Sequence, residues 1–211
     1  MQFGLVIDHL TAQLGLIRTI RGLTSKFGFF NDEEFDELQF EDRLASNPAL
    51  AELECWYWIR KLQARFFAGL YASAVDASLN AQRQLWTSPS QFETAELGFY
   101  GALSHAASWD SASPDQRQKH FDALAAHHKQ LEIWSENCPE NFENRAALVA
   151  AEIARIEGRL LDAEELYEKA IRSAHANGFI HNEALANEIA ARFYLTRGFE
   201  KIANAYLKDA R

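Results

Sequence analysis

Cysteine is nearly absent from this chain of 211 residues: Cys55 and Cys138 are the only two, and they form no CxxC pair. That excludes a disulfide framework or a cysteine-rich zinc site as the basis of the fold, and a reducing, cytoplasmic setting is the expectation. Only four prolines and ten glycines interrupt the chain, and runs of β-branched residues are missing. No apolar run approaches the roughly 20 residues that span a bilayer, and no leader-type segment opens the chain. Basic residues are outnumbered, 21 Lys and Arg against 30 Asp and Glu, for a net charge of −9. A nucleic-acid or anionic-membrane surface is therefore not expected. The sequence has no GxSxG, no phosphate-binding glycine loop, no dinucleotide fingerprint and no HExxH. Nothing in it motivates a catalytic site, a metal or a cofactor. The single methionine, Met1, heads a helical pattern with no N-cap before it, which suggests a piece of a longer protein.

What is present is alanine, leucine and glutamate in abundance, with 48% hydrophobic and 24% charged residues, so the fold class is all-α. The organising stretch is Asn144 to Arg211. After Gly158 come Ala163, Tyr167 and Ala170; after Gly198 come Ala203, Leu207 and Ala210. The offsets are +5, +9 and +12 in both cases, and the two glycines stand 40 residues apart. Small residues at such offsets share one side of a helix, where a neighbouring helix can approach closely. Gly69 starts the same pattern with Ala74, Ser78 and Ala81, and Trp58 precedes it. The spacing resembles the tetratricopeptide repeat, stretched beyond its usual period of about 34 residues and without its terminal proline. It implies a right-handed TPR-like α-solenoid of about five helical hairpins, ten helices in one domain over 1–211. It places Ala163, Ala170, Ala191 and Ala203 at close helix–helix contacts.

Helix punctuation follows from local chemistry. Val6, Leu10, Leu14, Ile17 and Arg21 form the apolar stripe of a first helix of buried type, in a segment that Gly28 closes. Asn31 to Glu34 read as an N-cap and acidic first turn leading into Phe35, Leu38 and Leu44. Asn47-Pro48 opens a helix to Ala68 that is apolar around much of its circumference. Ser88-Pro-Ser-Gln91 and Ser113-Pro-Asp-Gln116 both match a capping box, predicting helices over 89–108 and 114–137.

Three clusters invite a chemical reading. His120, His127 and His128 share a helix, but zinc ligands more often stand at i and i+4 with a carboxylate or cysteine to complete the shell. The simpler expectation is solvated or hydrogen-bonded histidines. Glu152 with Glu157, or Asp32 to Glu34, offer paired carboxylates; acid–base work would require burial or a like charge to raise a pKa, and these are expected on wet faces. The aromatic run from Cys55 to Ile59, with Phe66 and Phe67, could stack a flat ligand, yet its helical spacing makes core the better reading.

The strings CWYWIRKLQARFFAGLYASAV (55–75), QLWTSPSQFETAELGFYGAL (84–103), HHKQLEIWSENCPENFENRAALVAAEIARIEGR (127–159) and ANGFIHNEALANEIAARFYLTRGFEKIANAYLKDAR (176–211) resemble one bacterial family. These are very large signalling proteins joining a Ser/Thr-kinase-like domain, an AAA-type ATPase, a helical-repeat region, a GAF module and a sensor histidine kinase. The resemblance is to the helical-repeat region and runs from RGLT at 21–24 onward. It implies a non-catalytic scaffold whose partners are those flanking modules or a separate protein; a ligand- or peptide-sensing repeat is the alternative. Counting back from each helix-ending glycine gives one candidate interaction groove. Trp56 and Gln63 belong to its apolar half, and Arg145, Glu152, Arg155, Glu188 and Arg192 to its charged half, with Leu148, Leu185 and Leu195 between them.

Overall fold

The computed structural model describes the backbone of all residues except Met1 and Ser90, and the side chains from His9 onward apart from Ser90. Among the described residues there are ten α-helices, two short 3-10 turns and no strand. The chain forms two compact units, Met1–Ser108 and Trp109–Arg211.

The first unit is built on α3 (Ala51–Phe67), entered through a 3-10 turn at Pro48–Leu50 whose N-cap Asn47 accepts the Ala49 N–H at 3.1 Å. Leu53, Tyr57, Ile59, Leu62, Ala64 and Phe66 are all buried, on several sides of this one helix. It packs against α1 (Gln2–Ile20), α2 (Glu37–Ala45) and α4 (Tyr71–Arg83). It also meets α5 (Phe92–Trp109) through Phe66 against Tyr100, ring centroids 5.6 Å apart. The core gathers Ala12, Phe30, Phe40, Leu44, Leu53, Tyr57 and Ala64. The aromatic run is thus mostly core: Cys55 and Tyr57 are wholly buried, Trp56 and Trp58 half-buried, and Phe67 is exposed.

The second unit is α6 (Pro114–Asn137), α7 (Pro139–Ile156), α8 (Leu160–Ala176), α9 (Ile180–Thr196) and α10 (Glu200–Asp209). Each helix packs on the next in the chain, and α7 also touches α9. Helices that neighbour both their hairpin partner and the corresponding helix of the next hairpin are what a repeat array requires. Ala163, Ala170 and Ala203 are wholly buried, as the +5 and +12 register demands, and so is Ala191, which lies outside that register. Asn144 of α7 and Asn182 of α9 join beneath the surface, Nδ2 of Asn182 donating to Oδ1 of Asn144 at 2.7 Å.

One turn recurs in both units. At Gly69, Gly158, Gly178 and Gly198 the φ is 71°, 77°, 74° and 81°, a region where a side chain is strained. The N–H of the next residue reaches back five residues at 2.9 Å every time, Leu70 to Arg65, Arg159 to Ala154, Phe179 to Ala174 and Phe199 to Tyr194. That residue caps the following helix, so three residues make each connection. Gly178 divides the 40-residue repeat in two and gives α8 and α9 the same length, 17 residues.

Four expectations require correction. Helix α1 ends at Ile20, before Gly22 at φ 69°, not at Gly28. Gly28 instead lies against α3, where an added Cβ would stand 2.5 Å from Cβ of Ala68. Helix α2 begins at Glu37 with Asp36 as cap; the Asp32 side chain serves the loop N–H groups of Glu34 and Phe35, and that of Asn31 accepts the N–H of Glu37 itself. Helix α5 begins at Phe92, not Pro89; Ser88 closes a 3-10 turn and its hydroxyl is taken by the Trp56 indole at 3.0 Å. The stripe of α1 is also not turned inward: Leu10, Leu14 and Ile17 are exposed, while Ala12 and Thr19 face the core. The side chain of Val6 lies outside the described residues. The capping box at Ser113 and the helix 114–137 stand as read.

Candidate interaction surface

The charged half of the groove lies in the second unit, on α7 and α9. Steps of three and four from Gly158 place Arg145, Leu148, Glu152 and Arg155 on one side of α7, but the protein encloses most of that side. Arg145 is 1% exposed and Glu152 only 6%. Glu152 is the hub of a buried polar cluster. Its Oε2 accepts from Arg155 Nε at 3.1 Å and Nη2 at 3.0 Å, and its Oε1 accepts the Tyr167 hydroxyl. Nη1 of Arg155 continues outward to both carboxylate oxygens of Asp110 at 3.1 Å. Burial works to lower the Arg155 pKa, but Glu152 and Asp110 outweigh it and the net move is upward. Burial, then the Glu152 charge and the hydrogen bond to it, push the Tyr167 phenol up, so it remains a proton donor at ordinary pH. Far from lying on a wet face, Glu152 ties α7 to α8.

The equivalent row on α9 is buried at Leu185, 6% exposed, and open beyond it. Glu188 and Arg192 form an i, i+4 pair with roughly half of each side chain in solvent, and Leu195 continues it at 43% exposure. Beside this row the sequence pattern gave no hint of a second cluster. Tyr194 and Tyr206 stack with centroids 5.4 Å apart and planes 12° off parallel; Tyr206 donates to Glu168, and Arg197 pairs with Glu164 across the faces of Phe193 and Phe199. The position +8 from Gly198 that carries Tyr206 is outside the small-residue register, so periodicity alone does not mark it.

The apolar half lies in the first unit. Trp56 is half-buried, edge-on to His9 at 4.9 Å, with its indole N–H on Ser88. Gln63 is 4% exposed; it accepts from Arg60 at 2.9 Å and donates to Glu96 at 2.5 Å, and Arg60 also meets Glu93 at 3.1 Å. A second buried ionic group went unread in the sequence. Glu37 accepts the Phe30 N–H at 2.8 Å and pairs with Arg65 at 2.9 Å, while Glu41 takes Lys61 and the Tyr57 hydroxyl, the latter at 2.5 Å. Arg65 also donates to the carbonyl of Gly28. Burial and the Glu41 charge push the Tyr57 phenol up. A carboxylate–tyrosine–cation group thus recurs in both units, each time fastening one helix to another.

Of the histidines, His127 is pushed down to about 4 by burial, and His120 and His128 move the same way for the same first reason. Glu132 opposes that shift at His128, 3.6 Å away. Among the described residues no three His, Cys, Asp or Glu side chains converge on a metal-sized space, and no helix is long and apolar enough to cross a membrane. Comparison with protein-family models, curated proteins and solved structures finds no significant match.

Proposed function

We propose that this chain is a non-catalytic TPR-like scaffold that mediates protein–protein or interdomain contacts in a multidomain signalling ATPase/kinase of the sensor histidine kinase type, in the cytoplasm. The resemblance of the four strings supplies that context. The observation that carries the scaffold reading is the run α7 to α10: hairpins joined by one turn, packed through buried alanines, with an exposed row Glu188, Arg192 and Leu195 on α9. Arrays of this kind present extended surfaces to partners, and rim charges there govern partner choice more than stability. The flanking kinase-like, ATPase and GAF modules are the proposed partners.

A second reading, a ligand- or peptide-sensing domain, draws on an open depression of about 710 Å³ along α8, bordered by Arg159, Lys169, Arg172 and Tyr194. A thermal-shift screen separates the two. A small molecule that binds only the folded state must raise the melting temperature, by about 2.7 kcal/mol of stability at a hundredfold excess over Kd. The scaffold reading expects stabilisation by the purified flanking modules and none by small effectors. ATP hydrolysis or autophosphorylation by the purified chain would overturn both.

A further inference from the structure

The exposed stripe of α1 belongs to the first unit and shares no residue with the row on α9. Leu10, Leu14, Ile17 and Ile20, followed by Leu23 and Phe27, are each 49–55% exposed. Single exposed hydrophobes are ordinary on a monomer, but a row at i, i+4 and i+7 is the footprint of a helix laid alongside. The row is not flat. At Leu14 it opens into a cavity of about 380 Å³ between α1, the loop after it and α2, floored by Phe30, Phe35 and Phe40. Phe30 lies there because residue 15 is glycine: a Cβ on Gly15 would stand 2.9 Å from Cγ of the Phe30 ring.

Along α1 and the loop after it, the border of the stripe is cationic. From His9 to Phe29 there is no Asp or Glu, whereas Arg18, Arg21 and Lys26 are exposed or partly so, in a chain whose net charge is −9. Two acids, Asp32 and Glu34, line the cavity, and Asp32 is already committed: one oxygen accepts the N–H groups of Glu34 and Phe35, and the other faces Arg18 at 3.1 Å.

We propose that this stripe and cavity dock an amphipathic helix of a protein partner, one whose apolar face carries a large side chain into the phenylalanine cavity and whose borders are acidic. A second copy of this chain would bring the same cationic border to the contact, so an acidic helix is the better complement. The surface goes beyond the scaffold reading and shares no residue with the α9 row, so either can fail without the other.

The test is fluorescence anisotropy of the 211-residue chain with a labelled amphipathic helical peptide of about five turns, leucine- and phenylalanine-faced with glutamate borders. Its twin carries lysine at the border positions. The acidic peptide is expected to bind, and the lysine twin about tenfold more weakly. Leu14→Glu, and separately Arg21→Glu with Lys26→Glu, should each weaken binding by at least the same factor with unchanged melting, since all three side chains are exposed. Leu38→Glu, exposed on α2 and outside the cavity lining, should leave binding intact. If Leu14→Glu lowers the melting temperature, Leu10→Gln takes its place. Equal binding of the two peptides, or indifference to the α1 variants, would overturn the proposal. So would an α1-dependent dimer in light scattering that the acidic peptide fails to displace, since the occupant would then be a second copy.

Discussion

Replacing Glu152 by alanine removes the one acceptor shared by Arg155 and Tyr167. Breaking a buried ion pair from one side costs about 3–5 kcal/mol when the stranded charge has nowhere to turn. Here Arg155 retains Asp110, whose side chain is 60% exposed, and is itself 18% exposed, so solvent relieves part of the loss. The Tyr167 hydroxyl loses its acceptor in full at a wholly buried position, about 1–3 kcal/mol. Together these give about 2–3 kcal/mol, a fall of roughly 10–20 °C for a unit of this size. Tyr167→Phe keeps the ring, which packs 5.3 Å from Phe193, and should cost only about 1 kcal/mol. A chemical melt of the two single variants and the double variant, with hydrogen exchange followed in α7 and α8, measures their coupling, expected at about 1 kcal/mol. A Glu152→Ala melt within about 0.5 kcal/mol of the parent would refute the view that this residue fastens α7 to α8.

Ala170→Leu should overpack the α7–α8 contact and destabilise by about 1–3 kcal/mol, since Ala170 has no exposed surface; an unchanged melt would mean the repeat register is misplaced. Gly178→Ala should cost only the strain of a left-handed side chain, about 1–2 kcal/mol, because no atom lies within 4 Å of the new Cβ. Gly28→Ala adds a collision with Ala68 to the same strain and should cost more in a parallel melt. His127, held neutral at a folded pKa of about 4 against 6.5 when unfolded, binds a proton more readily in the unfolded chain. Its contribution is complete above pH 6.5 and falls away as the pH drops toward 4, so His127→Gln should flatten the melting-temperature profile across that window.

How far the sequence could be read depends on which interactions are periodic. The all-α class and three of the glycine turns follow from repeated small residues, because close helix approach leaves its mark on every copy. Gly178 escaped because the positions +5 and +9 after it hold Glu183 and Asn187, so α9 breaks the small-residue pattern while keeping the turn. The start of α5 misled because Ser88-Pro89 has a cap's chemistry locally, while its hydroxyl serves an indole 32 residues away. Burial of charge is equally non-local. Arg145, Glu152 and Gln63 occupy the predicted helix side, but whether that side is wet depends on neighbours far along the chain. On α1 the period was right and the direction was not, since a stripe of leucines does not say what covers it.

The proposed scaffold role stands or falls on the binding of protein partners. Isothermal titration measures that binding: the purified chain against purified ATPase and kinase-like modules of the kind proposed to flank it, with Glu188→Lys and Arg192→Glu variants alongside. The account predicts saturable binding to at least one module, weakened by those variants at an unchanged melting temperature, because an exposed pair contributes only about 0–1 kcal/mol to folding. Absence of binding to every module, or binding indifferent to both substitutions, would contradict it.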